Sequence, residues 1–211
     1  MKITFLILGF IFLNSQVVAE TLDVEYSSFY SHVKKLDDPD TDALRFAFGF
    51  MHIADKRLCH VSSAQIKTQK QTLALTIENN NRFTVPTDKI LKMARAKVII
   101  ELDDQANQCD MSVQLETLPS FLKTQYNHDE LLLLFKQYQA FFDEMGGFLS
   151  FMMPAPEGLL FHFEEDVRLP EELQTLVDKK GTLTLSKTWF MQQKGLYLPN
   201  KPLRITAIVK N

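Results

Sequence analysis

The hydrophobic positions along the chain change period several times, and each change marks an element. Leu22, Val24 and Tyr26 alternate with Asp23, Glu25 and Ser27, the period of two that a half-buried strand shows. Phe29, Val33 and Leu36 then fall at helical spacing behind Ser27 and Ser28, which predicts a serine-capped helix reaching Asp37. Past an acidic loop, Leu44, Phe46, Phe48 and Phe50 alternate with Arg45, Ala47, Gly49 and Met51, and Val61 and Ile66 mark the expected partner strand. Leu73, Leu75 and Ile77 are separated from Phe83 and Val85 by Asn79, Asn80 and Asn81, residues that tolerate the geometry of a hairpin turn. Residues 90–96 read as a helical turn or two, and residues 98–102 and 111–115 as a further hairpin.

Beyond Pro119 the texture becomes helical. Asn127 with Glu130 three residues on is a capping box, and Gly146 and Gly147 form the stop. Between them Leu131, Leu134, Phe135, Tyr138, Phe142 and Met145 line one face, and Leu132 and Leu133 widen it at the start. Residues 148–153 and 159–163 read as a hairpin around a Pro-Ala-Pro turn. Pro170, Glu171 and Glu172 open a second expected helix with core face Leu173, Leu176 and Val177, and Lys179, Lys180 and Gly181 close it. Leu183 and Leu185, then Leu203, Ile205, Ala207 and Val209, complete the strands. The expected class is α+β, a mostly antiparallel sheet built from hairpins with two or three packed helices and one disulfide.

The first residues alter how composition is read. Lys2 precedes an uncharged run over residues 3–13, too short for the roughly 20 residues of a membrane-spanning helix but suited to a secretory signal. Val17 and Ala19 supply small side chains for cleavage between Ala19 and Glu20. Removing 19 of the 211 residues leaves 192 and takes the formal net charge from −3 to −4. The domain division expected is a signal peptide at 1–19 and an α+β domain at 20–211, with subdomain boundaries at 20–118 and 119–211. No transmembrane span is expected in the mature chain. The mild negative charge argues against nucleic acid or an anionic membrane as the main partner, since both select clustered Lys and Arg. The densest basic stretch, residues 89–97, reads instead as one amphipathic helix face. Export also speaks to the only two cysteines: in an oxidising compartment Cys59 and Cys109 are expected to pair as a structural staple.

Catalytic patterns are sparse. Asp38, Asp40 and Asp42 have the alternate spacing of a calcium loop, but Ala43 replaces the turn glycine and Gly49 the bidentate glutamate. The five histidines form no zinc pair; His162 and Glu164 share a strand face and supply two ligands where a catalytic zinc needs three. No metal, cofactor or catalytic residue is therefore assigned. Fourteen phenylalanines remain after cleavage, and those around Phe135, Phe142 and Phe161 either fill a core or line an apolar pocket.

VEYSSFYSHVKKL near the mature start, VPTDKILKMARAKVIIEL followed by QCDMSVQL, and KPLRITAIV at the end resemble an uncharacterised family of exported gammaproteobacterial proteins, a domain of unknown function. The resemblance implies a soluble periplasmic protein with paired cysteines and carries over no active site. The leading expectation is a non-enzymatic binding protein of the cell envelope, with an envelope protein or a hydrophobic ligand as partner. A carrier of a hydrophobic small molecule is the alternative, and a hydrolase with dispersed catalytic residues comes third.

Overall fold

The computed structural model describes residues 20–146, 155–192 and 195–209. The expected signal peptide with Ala19, the expected strand at 148–153 and the stop residue Gly147 lie outside them. Eleven strands and four α-helices are defined among the described residues, and every strand pairing is antiparallel. The α+β class and the antiparallel arrangement agree with the hydrophobic pattern, but four separate sheets replace the expected single one.

The first sheet has the order β1-β5-β3-β4, from Glu20–Glu25 (β1), Lys97–Leu102 (β5), Val61–Lys67 (β3) and Thr72–Leu75 (β4). Leu44–His52 (β2) and Cys109–Thr117 (β6) form a two-stranded ribbon. Three of the hairpin pairings expected from the sequence do not form. β2 pairs toward β3 only at Met51 and Leu58, closing the tight turn in which Lys56 takes φ 57°. The chain then crosses at Cys59 into the first sheet. β5 cannot pair with β6, because β1 and β3 occupy both of its edges. The asparagine turn forms as expected, with Asn81 at φ 57°, but β4 pairs with β3 and Phe83 bridges Phe48 on the free edge of β2.

Helix α1, Tyr26–Val33, starts one turn earlier than expected. Glu25 occupies its N-cap without a side-chain hydrogen bond, so neither Ser27 nor Ser28 caps it. A 3-10 turn, Lys34–Leu36, carries the chain on. Helix α2, Lys89–Met93, is capped by Asp88, whose Oδ1 accepts from the amides of Ile90 and Leu91. Helix α3, His128–Gly146, opens on the expected capping box: Asn127 N–H donates to Glu130 and Glu130 N–H to Asn127 Oδ1, both at 2.9 Å. Its buried face runs through Leu131, Leu134, Phe135, Gln137, Tyr138 and Phe141. Phe141 thus takes the inward place expected of Phe142, while Leu133 and Met145 are exposed.

Pro156–His162 (β8) sits between Arg204–Val209 (β11) and Thr182–Ser186 (β9). Gly158 permits this closeness, since a β-carbon there would lie 2.2 Å from the Leu185 carbonyl oxygen. The helix expected after Pro170 is only a 3-10 stretch, Glu171–Leu176. Gly181 at φ 73° then turns the chain directly into β9. Lys187–Gln192 (α4) and a small pair, Gln125–Asn127 (β7) with Gly195–Tyr197 (β10), complete the fold. One continuous hydrophobic cluster joins these elements. At its centre the fully buried Tyr138 hydroxyl donates to the Ile205 carbonyl at 2.7 Å and meets Thr117 at 3.2 Å, tying α3 to β11 and β6.

Candidate functional site

The expected disulfide is formed. Cys59 and Cys109 are bonded with Cα atoms 6.4 Å apart, joining the start of β3 to the start of β6. Glu20, the residue after the expected cleavage site, accepts from the Ala106 amide at 2.8 Å and so anchors β1 beside this corner. Asp104 also lies close to both sulfurs, but these belong to the disulfide and are not free to ligate a metal. Its carboxylate pairs with Arg57 and accepts from the His60 amide. The Arg57 hydrogen bond leads in holding it down at about 2.

The three phenylalanines singled out in the sequence differ in burial. Phe135 and Phe161 have no exposed surface. Lys187 Nζ lies 5.5 Å from the Phe135 ring centre, and Tyr126 packs edge-on against Phe161 at 5.7 Å. Phe142 is half-buried and meets Phe141 edge-on at 5.5 Å. The acidic loop is likewise occupied with structure: Asp38 Oδ1 accepts from the Asp40 amide, and Asp42 accepts from Gln137 Nε2 on α3. His162 sits 3.0 Å from Thr206 Oγ1, and burial, with Arg204 adding to it, holds its imidazole down at about 4.

A buried charge network escaped the sequence reading. Arg45 on β2 stands directly opposite Glu116 on β6. Its Nη1 and Nη2 donate to both Glu78 carboxylate oxygens at 2.5 and 2.8 Å, and its Nε and Nη2 to Glu116 Oε1 at 3.0 and 2.6 Å. Glu116 is 1% exposed, and burial raises its pKa against the opposing pull of Arg45. Arg82 is buried beside it, donating to the Ala47 carbonyl and to Ser112. Burial lowers the Arg82 pKa, and Arg204 adds to the effect. Arg45 thus ties Glu78 to Glu116 across the β2–β6 ribbon, while Arg82 fastens to the ribbon through Ala47 and Ser112.

The surface differs in character at one place. Between α2 and the β3–β4 turn runs an open groove of about 590 Å³, lined among others by Lys70, Ile90, Leu91, Met93 and Arg95. Leu91 is buried and fixes α2 to the body of the protein, whereas Ile90 and Met93 are 75% and 74% exposed. Of the amphipathic helix face expected at 89–97, only Lys89–Met93 is helical, with part of its apolar side turned outward; Arg95 takes φ 51° and Lys97 opens β5. Its mounting is rigid: the Tyr26 amide donates to the Ala96 carbonyl at 2.9 Å, and the Tyr26 hydroxyl bonds the Pro86 carbonyl and the Asp88 amide. No sequence signal separated the inward Leu91 from the outward Ile90 and Met93, because that choice is made by the elements packed behind the helix.

A family model described as protein of unknown function (DUF2987) matches residues 18–163, which include the disulfide, the charge network and the groove. No curated protein and no solved structure matches the chain.

Proposed function

We propose that this chain, which belongs to that family of proteins of unknown function, is an exported, non-enzymatic binding module of the cell envelope. Its working surface is the groove between α2 and the β3–β4 turn. The observation that carries this reading is the pair Ile90 and Met93, held outward on a helix that is itself firmly seated. Large apolar side chains grouped at a rimmed groove mark places where proteins meet partners. The complete burial of Phe135 and Phe161 supports work at the surface over carriage of a ligand inside. Export is supported by the Cys59–Cys109 bond, since disulfides persist in oxidising compartments. Among the described residues no helix is long and apolar enough to cross a membrane.

Site-specific photo-crosslinking in the producing cell tests the reading. A photoreactive residue replacing Ile90 is expected to capture a partner, while the same residue at exposed Leu203 captures none. Equal capture at both positions, or capture of neither protein nor lipid at Ile90, overturns the groove as the binding surface. The intact mass of the purified protein tests export separately: cleavage before Glu20 and the loss of two hydrogens are expected.

A further inference from the structure

The outward arc of α2 is part apolar and part basic, and the fold places further cations beside it. At 3.6 residues per turn, Ile90 and Met93 lie about 60° apart on the side away from buried Leu91, and Lys92 and Lys89 continue that arc. Lys70, from the β3–β4 turn, and Arg95, just beyond α2, stand in the wall of the groove. Lys70, Lys89 and Arg95 make no ion pair among the described residues, and Lys92 lies 5.2 Å over the Tyr30 ring. Lys97, by contrast, is neutralised by Asp23 at 2.9 Å. Residues 67–97 hold seven Lys and Arg against two Asp and Glu, in a chain whose formal net charge is −3. Of these seven, Arg82 is buried beside the β2–β6 ribbon and Lys97 is paired, so the positive charge at the groove is that of Lys70, Lys89, Lys92 and Arg95.

Ile90 and Met93 are the two most exposed large apolar side chains among the described residues, standing proud of the groove. A fluid interface suits this geometry: it accepts protruding apolar groups below its headgroups and presents phosphates to the cations around them. We propose that the α2 face docks the protein onto an anionic phospholipid bilayer, with Ile90 and Met93 entering the headgroup–acyl boundary and Lys70, Lys89, Lys92 and Arg95 meeting phosphates. The proposal rests on the α2 groove being the working surface and names what that surface meets.

Co-sedimentation of the full mature chain with vesicles tests it. The wild type is expected to pellet with phosphatidylethanolamine vesicles containing about a third phosphatidylglycerol, and to be released as salt screens the cations. It is expected to stay in solution with phosphatidylcholine alone. One basic residue near an anionic surface is worth about a five-fold gain in partitioning, so Lys89→Gln with Lys92→Gln is expected to weaken binding about 25-fold. Ile90→Ser with Met93→Ser is expected to weaken it at least about ten-fold, leaving the melting temperature unchanged because neither side chain is in the core. Ile90→Trp adds a direct readout, an emission shifted to the blue on anionic vesicles. Wild-type protein left in solution, or pelleting equally with neutral vesicles, overturns lipid docking. If Ile90 nevertheless crosslinks to a protein in the cell, the groove stands as a binding surface and its partner is an acidic protein. If neither vesicles nor crosslinks engage Ile90, the binding surface itself falls.

Discussion

Reducing the Cys59–Cys109 bond removes a constraint whose size follows from its span. The bond closes a loop of 50 residues. On the chain-entropy account such a loop lowers the entropy of the unfolded chain enough to stabilise the fold by about 4 kcal/mol at 25 °C. A chain of this length unfolds with an entropy near 0.4 kcal/mol/K, so the same loss corresponds to a fall of about 10 °C in melting temperature. Cys59 has no exposed surface, and a substitution there also leaves a packing defect. Reduction of the wild type should therefore be compared with Cys59→Ala/Cys109→Ala, the second falling further by the lost sulfur contacts. Scanning calorimetry with and without reductant, on protein whose thiol content is measured in parallel, gives the answer. A fully reduced protein melting within about 2 °C of the oxidised one would refute the argument, because the loop entropy would then be absent from the stability difference.

Three further perturbations address other parts of the fold. Arg45→Met strips the partner from Glu116 at its buried site and should cost about 3–5 kcal/mol in urea unfolding, whereas Arg45→Met with Glu116→Leu should recover most of that loss; additive effects would show that the two residues do not act as a pair. His162 binds its proton at 6.5 in an unfolded chain but near 4 in the fold. Stability should therefore decline as pH falls from 6.5 and level off below about 4, and His162→Gln should flatten that part of the urea-midpoint profile. Gly158→Ala would place a methyl group 2.2 Å from the Leu185 carbonyl oxygen and 2.8 Å from Ile208 Cδ1. Prying β8 from its neighbours should cost about 3 kcal/mol, and an unchanged urea midpoint would mean that the strands are not so closely packed.

Much of the fold was legible where the signal is local. The Asn127–Glu130 box acts between residues three apart, so it read correctly and formed as expected. Asn81 announced its turn in the same way. Alternation in residues 44–51 correctly identified a strand, but a period of two says which face is apolar and nothing about which strand lies alongside. β2 therefore paired with β6, whose residues lie from 57 (His52–Cys109) to 73 (Leu44–Thr117) positions further along the chain. The Arg45–Glu116–Glu78 network depends on that pairing and stayed hidden with it. The expected helix after Pro170 failed for a related reason. The expected stop at Lys179, Lys180 and Gly181 falls beyond the 3-10 stretch, which ends at Leu176; there Asp178 accepts from the amides of both Lys180 and Thr182 and turns the chain into β9. In the paired cysteines, by contrast, compartment chemistry supplied the long-range information that periodicity lacks.

The groove shows most sharply how tertiary structure sets the proposed binding face. A helix of five residues has no stability of its own in water, so its orientation belongs to whatever holds it. Asp88 caps its start, Leu91 plugs into the core, and Tyr26 clasps both flanks through Pro86, Asp88 and Ala96. With those three fastenings in place, turning α2 to hide Ile90 would swing Leu91 about 100° out of the core. Leaving Ile90 and Met93 in water forgoes about 1.5–3 kcal/mol for each side chain that a core position would supply. Their exposure is therefore imposed by well-made contacts behind the helix, where a loosely held segment would have folded its apolar side back onto the protein. The same fastenings keep Lys89 and Lys92 on the outer arc and hold it beside Lys70 and Arg95. A preformed support carrying an apolar pair inside a basic rim loses little internal freedom on docking, which removes the ordering part of the cost of association.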